Sequence, residues 1–156
     1  MLRSPQASRI SDAKEQAIGE SVGGNTTKIH ALCDSNGNMI DFILTGGNVH
    51  DSKPTPELIK NLEEADYFIA DKAYHSKTIR DDLKKKGIQA IIPVKSNSKN
   101  KENIGFDTYL YKLRHIVENF FARIKEWRSI NTRFERLKRN YAAMIEIGCA
   151  YLWSKI

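Results

Sequence analysis

The chain has 156 residues, enough for one domain that buries about two thirds of the surface its unfolded form would expose. With 40% hydrophobic and 28% charged residues it has the balance of a globular protein, and no apolar run or signal sequence marks it for a membrane or for export. Its net charge of +6 suits a polyanionic partner. Two cysteines without CxxC spacing and four scattered histidines argue against a zinc site.

The first half of the chain predicts a flexible lead-in followed by a hairpin. Residues 1–25 are polar and show no clear period, so we expect them to be a linker. Residues 26–156 are predicted to form the folded domain. An alternating strand begins at Thr26, and the Asn36–Gly37 turn returns the chain as a second strand over Met39–Leu44.

Helices and strands then alternate. Two prolines open a helix that ends near Glu64, and the apolar run Tyr67–Ala70 predicts a central strand with Asp71 at its tip. A helix over Lys77–Lys86, capped by Ser76, precedes a strand at Ala90–Val94.

Beyond that strand, a polar loop over Lys95–Gly105 leads to the last helices, of which Leu137–Trp153 closes the core with Met144, Ile145, Ile147 and Leu152. This order of elements predicts an α/β fold, in which helices flank a mixed sheet.

The stretch Tyr111–Lys125 predicts one amphipathic helix. At 100° per residue, four polar side chains fall within roughly 60° of one another. Glu118 would bind a divalent metal, while Arg114 and Lys125 would contact phosphate; alternatively, Arg114 and Glu118 form only a solvated salt bridge. The polar stripe is Tyr111, Arg114, Glu118 and Lys125, and the apolar back is Leu113, Ile116, Phe120, Ile124 and Trp127.

Basic residues outnumber acidic ones between this stretch and the last helix. Solvent exposure of one helical face explains part of the excess of basic residues, and binding of a DNA backbone along these residues explains it better. The basic residues are Lys112, Arg114, Arg123, Lys125, Arg128, Arg133, Arg136, Lys138 and Arg139; the acidic ones are Glu118, Glu126 and Glu135.

Five features of the chain together carry a family resemblance. They are the spacing Y-(2)-R-(3)-E-(6)-K and the segments GGNTTKIHAL (Gly23–Leu32), GGNVHDS (Gly46–Ser52), IADKAYHS (Ile69–Ser76) and HIVENFFARIK (His115–Lys125). In this order and at these separations, the chain resembles the DDE-type insertion-sequence transposases, the bacterial group that moves short DNA elements.

The resemblance implies a ribonuclease-H-like fold and metal-dependent cleavage and transfer of DNA strands. It makes Asp71 and Glu118 the second and third catalytic acids and the ligands of Mg²⁺ or Mn²⁺. Tyr111, Arg114 and Lys125 become the residues that position the DNA of the element ends and target. Taken alone, Asp71 could equally be a turn former at the end of a strand.

The first acid of the family lies on a strand before the TTKIHAL strand, and no apolar strand precedes Gly23 here. No other aspartate of the chain replaces it convincingly (Asp12, Asp34, Asp41 or Asp51). We therefore expect the fold to lack its first strand and the chain to be inactive alone. It would be a downstream-frame product that needs an upstream-frame partner, or a decayed remnant.

A working enzyme of this kind is expected to be a homo-oligomer in the cytoplasm, at the nucleoid. Two other functions stay open: a non-catalytic DNA-binding regulator that uses the basic helices, and a nuclease of the same fold that joins no strands.

Overall fold

A computed structural model of the protein describes residues 2–3, 15–94 and 106–155. The chain divides into two units. The split unit joins Met1–Val49 to Ile116–Ile156, and the continuous unit is His50–His115. The loop predicted over Lys95–Gly105 lies outside the described residues, as does Asp12. Within those described ranges, no helix is long and apolar enough to cross a membrane.

The split unit contains an antiparallel sheet built around its longest strand. That strand, β3, pairs with all three others, and β4 covers it from Thr27 to Cys33 with a register shift after Leu32. The strands are β1 (Leu2–Arg3), β2 (Gly19–Ser21), β3 (Gly24–Cys33) and β4 (Met39–Gly46).

The turn between β3 and β4 confirms the hairpin predicted from Asn-Gly. Gly37 has a φ of +83°, a conformation that glycine adopts without steric cost. Asp34 Oδ1 accepts hydrogen bonds from the backbone N–H groups of Asn36 at 2.9 Å and Asn38 at 2.8 Å. Asp34 is therefore a turn former, as its place in the sequence indicated.

Two short strands lie within residues 1–25, the segment predicted to be a flexible lead-in, although neither is an apolar strand. Thr26 of β3 lies opposite both Arg3 of β1 and Gly19 of β2, so the two short strands flank the start of β3. Ala17 and Ile18, just before β2, are buried. This part of the predicted lead-in belongs to the sheet, because its backbone pairs with β3 although its side chains show no apolar period.

The continuous unit has the alternation that the sequence predicted. Strands β5 and β6 pair in parallel, and α2 lies in the connection between them. Its helices and strands are α1 (Thr55–Lys60), β5 (Tyr67–Ile69), α2 (Lys77–Lys85), β6 (Gln89–Ile91) and α3 (Thr108–Lys112). The first helix ends earlier than predicted, and Ser76 precedes α2 without a side-chain cap bond. The buried residues of the continuous unit include Leu58, Ile59, Ile79, Leu83, Ile91 and Ile92.

The single helix predicted over Tyr111–Lys125 is wrong. Helix α3 ends at Lys112, and a new helix, α4 (His115–Ile124), begins after a turn. The ring Nδ1 of His115 donates to the carbonyl oxygen of Lys112 at 2.7 Å. In an unbroken helix that carbonyl would accept the N–H group four residues later, so the ring bond competes with helix continuation.

The core of the split unit lies among the sheet, α4, α5 (Arg128–Asn131) and α6 (Lys138–Trp153). Phe120, Ile124 and Ile145 are buried there as predicted. Leu113 and Ile147, also predicted to be buried, are 37% and 55% exposed. The other buried members of this core are Ala17, Leu44, Ile130, Tyr141 and Cys149.

Both cysteines are free thiols, as predicted. Cys149 is buried, with its Sγ 3.8 Å from the Sδ of Met39. Burial raises the pKa of Cys33 to about 12 and that of Cys149 to about 11, so both stay protonated at neutral pH.

Arg133 was predicted to lie on a basic surface, but only 1% of it is exposed. Its guanidinium donates to the carbonyl oxygens of Glu135 at 2.8 Å and Arg136 at 3.0 Å, and to Thr27 Oγ1 at 2.7 Å. It also lies 5.0 Å from the centre of the Tyr141 ring. These bonds tie the segment before α6 to β3, and they satisfy a cation that would otherwise be costly to bury.

We expect Arg133→Gln to lower the free energy of unfolding by about 2–4 kcal/mol, because it leaves buried acceptors without a donor. Urea unfolding followed by circular dichroism measures this loss. The exposed Arg139→Gln is the matched control and should change stability by less than about 0.5 kcal/mol. Equal stability of the two variants would contradict the anchoring role of Arg133.

Candidate active site

Asp71 lies directly after β5, at the carboxyl end of the parallel pair. Ala70 extends that pairing by donating its N–H to the carbonyl oxygen of Ile91 at 3.3 Å. Asp71 Oδ1 accepts the backbone N–H of Lys72 at 2.5 Å and caps a short 3-10 helix over Lys72–Tyr74. The half-buried carboxylate is therefore a turn former, and this bond occupies one of its two oxygens.

A second carboxylate of the continuous unit, that of Asp51, acts on the side chain of Tyr74 together with Asp71. Burial raises the pKa of its hydroxyl to about 12, with smaller contributions from the charges of Asp51 and Asp71. Both carboxylates must therefore lie close enough to the phenol to act on it. Asp51 is the acid of the GGNVHDS segment, so the sequence contained a signal for a residue that was not assigned to the site.

Glu118 and Lys125 belong to the split unit. Glu118 is exposed in the first turn of α4, where a negative charge is favourable to the helix dipole. The N–H of Lys125 donates to the carbonyl oxygen of Phe121 at 3.2 Å, which continues the helical pattern. Two turns apart, Glu118 and Lys125 therefore share one side of α4, as predicted. The ammonium of Lys125 lies 5.4 Å from the centre of the Phe121 ring.

Tyr111 and Arg114 precede the break and belong to the continuous unit. The Arg114 guanidinium carbon lies 5.7 Å from the centre of the Tyr111 ring. The centre of the Phe106 ring lies 5.3 Å from the centre of the same Tyr111 ring. The sequence placed these two residues on one polar stripe, and the structure brings the guanidinium over the ring; their predicted role in positioning DNA stays a prediction. The unbroken stripe from Tyr111 to Lys125 does not exist, because the helix is interrupted at Leu113 and Arg114.

A cleft opens beside α4, in the split unit. It lies between the β3–β4 turn and the flank of the helix, and Glu118 does not line it. Its polar lining comes from Asn36, Asn119 and Arg123, and its apolar lining from Ile116 and Phe120.

Metal-ligand clusters are absent from the described part of the chain: no three side chains of the His, Cys, Asp or Glu types lie together there. The chemistry of Asp71, Asp51 and Glu118 nevertheless suits a hard cation, since carboxylate oxygens are the ligands that Mg²⁺ prefers.

Comparison with protein families supplies the identity. Residues 4–153 match the model of the transposase DDE domain, which is nearly the whole chain. The chain belongs to the DDE transposase family. The resemblance to DDE-type insertion-sequence transposases that the sequence motifs indicated is therefore confirmed.

Three relatives illustrate this membership. A Brucella ovis protein assigned as a transposase of insertion sequence element IS6501 is 30% identical over 128 residues, 82% of this chain and 98% of that protein. A Burkholderia cepacia protein assigned to element IS402 is 28% identical over 142 residues, 83% of this chain and 64% of that protein. The transposase of element IS1106 from Neisseria meningitidis serogroup B is 27% identical over 128 residues, 78% of this chain and 41% of its own. No solved structure matches the fold.

The cap bond of Asp71 allows its structural and chemical roles to be separated. Asn at position 71 retains an oxygen that can accept the N–H of Lys72, whereas Ala does not. We expect the free energy of unfolding of Asp71→Asn to lie within about 0.3 kcal/mol of that of the original protein. The free energy of unfolding of Asp71→Ala should be lower by about 0.5–1 kcal/mol, and urea unfolding measures both. If Asn is as destabilising as Ala, the capping bond does not stabilise this turn.

Proposed function

We propose that this transposase performs metal-dependent cleavage and transfer of DNA strands at the ends of an insertion sequence, with Asp71 and Glu118 as catalytic carboxylates. The position of Asp71 carries the proposal. A half-buried acid follows β5 at the carboxyl end of a parallel strand pair, the end at which α/β sheets bind their ligands. It lies within the segment that matches the transposase DDE domain.

We also propose that the fold is ribonuclease-H-like. An antiparallel hairpin, β3–β4, is followed along the chain by parallel strands, β5 and β6, joined through a helix. This order of elements supports the proposal, although among the described residues the hairpin and the parallel pair belong to two separate sheets rather than to one mixed sheet.

Mg²⁺ or Mn²⁺ is the proposed cofactor, and carboxylate oxygens of Asp71 and Glu118 would hold it. One or two carboxylates suffice for Mg²⁺, because water and substrate oxygens complete its coordination. Such an ion supplies Lewis-acid stabilisation of the charge that develops on a transferring phosphoryl group. The cap bond at Asp71 Oδ1 fixes the orientation of the carboxylate and leaves Oδ2 as the oxygen for this role.

Tyr111, Arg114 and Lys125 are proposed to bind the DNA backbone. The guanidinium of Arg114 is planar and can donate two parallel hydrogen bonds to a phosphate. Its position against the Tyr111 ring limits its rotamers, and so lowers the entropy lost on binding. Lys125 acts as a point charge on the same side of α4 as Glu118, where it can neutralise a phosphate next to the carboxylate.

A third carboxylate is proposed to come from a strand that adds to β3, supplied by an upstream-frame product. Among the described residues, β1 covers only Thr26 and Thr27 on its side of β3, and such an edge accepts a further strand. Joining two element ends also favours a homo-oligomer, which would act on DNA at the nucleoid.

Metal binding tests the catalytic proposal. Calorimetric titration of Mn²⁺ into the full chain should show a site that Asp71→Asn and Glu118→Gln each abolish. The matched controls are Asp82→Asn, whose carboxylate pairs only at the surface with Lys85, and the exposed Glu126→Gln; both should retain the site.

Identical isotherms for all five proteins would sink the metal role of the two acids. If DNA binding persisted in that case, the regulator without catalysis would replace the enzyme as the function of this chain.

Salt dependence tests the phosphate contacts. We expect Arg114→Gln and Lys125→Gln each to weaken binding of duplex DNA and to reduce the slope of log affinity against log salt by about 0.9, the value for one phosphate. Lys84→Gln, an exposed change on α2, is the control. Fluorescence anisotropy between 50 and 300 mM KCl (roughly the range over which such slopes are read) measures the effect. Slopes equal to that of the control would remove both residues from the DNA interface.

A further inference from the structure

The split unit has a surface of basic residues around an exposed aromatic ring, and the catalytic proposal assigns no role to it. Phe134 is 54% exposed, on the segment that connects α5 to α6. The guanidinium carbon of Arg128 lies 5.6 Å from the centre of its ring. We call Arg128, Phe134, Arg136, Lys138 and Arg139 the basic–aromatic surface; all five side chains are exposed.

The backbone that presents Phe134 is fixed. Immediately before it, the buried Arg133 donates hydrogen bonds to the carbonyl oxygens of the two residues that follow it, Glu135 and Arg136. The same guanidinium reaches Thr27 in the sheet. An exposed aromatic held in place in this way loses little conformational entropy when a partner covers it.

The positive charges at the start of α6 are unfavourable for that helix. Lys138 and Arg139 open α6, whose first turn contains no acidic residue and whose N-cap makes no side-chain bond. Cations at a helix N-terminus are unfavourable, since the helix dipole is positive there. The nearby acid, Glu135, accepts a hydrogen bond from Asn140 Nδ2 at 3.3 Å. Positive charge thus accumulates where folding does not require it, and an external polyanion would compensate it.

We infer that the basic–aromatic surface binds single-stranded DNA. An unpaired base would stack on the ring of Phe134 and on the Arg128 guanidinium, while Arg136, Lys138 and Arg139 contact the backbone phosphates. In an intact duplex the base faces are covered by their stacked neighbours, so the exposed Phe134 favours a single strand, whose bases can stack on the ring without that cost. The inference rests on the proposed function, in which DNA is the substrate and strand cleavage exposes unpaired ends.

The test compares two fluorescein-labelled probes, a single-stranded oligothymidine and a duplex of the same length, with the full chain in anisotropy titrations. We expect Phe134→Ala to weaken single-strand binding roughly 5- to 100-fold, the range measured for loss of one stacking aromatic, and to change duplex binding less than about twofold. Phe134→Tyr keeps a ring and should bind like the original protein. Phe134→Leu keeps apolar bulk without a ring and should behave like Phe134→Ala.

Trp153→Ala is the matched control, because Trp153 is 53% exposed at the other end of α6. It should leave both affinities unchanged, and thermal unfolding establishes that every variant is folded. If the original protein binds both probes and Phe134→Ala binds them equally well, or loses both equally, the stacking role is overturned while the proposed function stands. If the original protein binds neither probe, the proposed function fails as well.

Discussion

The split unit depends on the burial of one guanidinium. Backbone carbonyls and a threonine hydroxyl accept the hydrogen bonds of Arg133, and the charge of Glu135 also acts on it. Thr27 in turn donates to the carbonyl oxygen of Ala17 at 2.8 Å, and Ala17 has the unusual φ of +54°. One cation therefore holds the turn before β2, the start of β3 and the entry to α6 in a single network.

The same network also fixes the backbone of the segment for which single-strand binding is proposed. The carbonyl groups that accept from Arg133 belong to Glu135 and Arg136, the two residues that follow the exposed Phe134. A buried arginine and a surface of exposed arginines are thus neighbours in the sequence with opposite roles. The sequence could not separate them, because a run of basic residues shows no burial pattern and arginine is almost never fully buried. Only the acceptors supplied by distant segments decide which guanidinium lies inside.

Elements defined by local chemistry were predictable. The Asn-Gly turn and the apolar run before Asp71 follow from residues adjacent in the chain. The interruption at Leu113 and Arg114 was not, since apolar periodicity continues through it and a single bond from the His115 ring to Lys112 ends the helix. Strands β1 and β2 were missed for a related reason: their partner, β3, stabilises them rather than their own side chains. Of the site, motif spacing identified Asp71, Glu118, Tyr111, Arg114 and Lys125 as candidates, and the fold shows that Asp71 does form the turn that the sequence offered as its alternative role.

The discontinuity of the split unit bears on the order in which the chain folds as it leaves the ribosome. The continuous unit, His50–His115, is complete before α4 is synthesised and can form its parallel strand pair and helices from contacts close in sequence. The split unit must wait, because Arg133 closes loops back to Thr27 and Ala17 that span most of the polypeptide. Until Arg133 and α6 emerge, the sheet around β3 lacks that helix and the guanidinium that joins the segment before it to Thr27. During that interval the edge of β3 is at its most accessible.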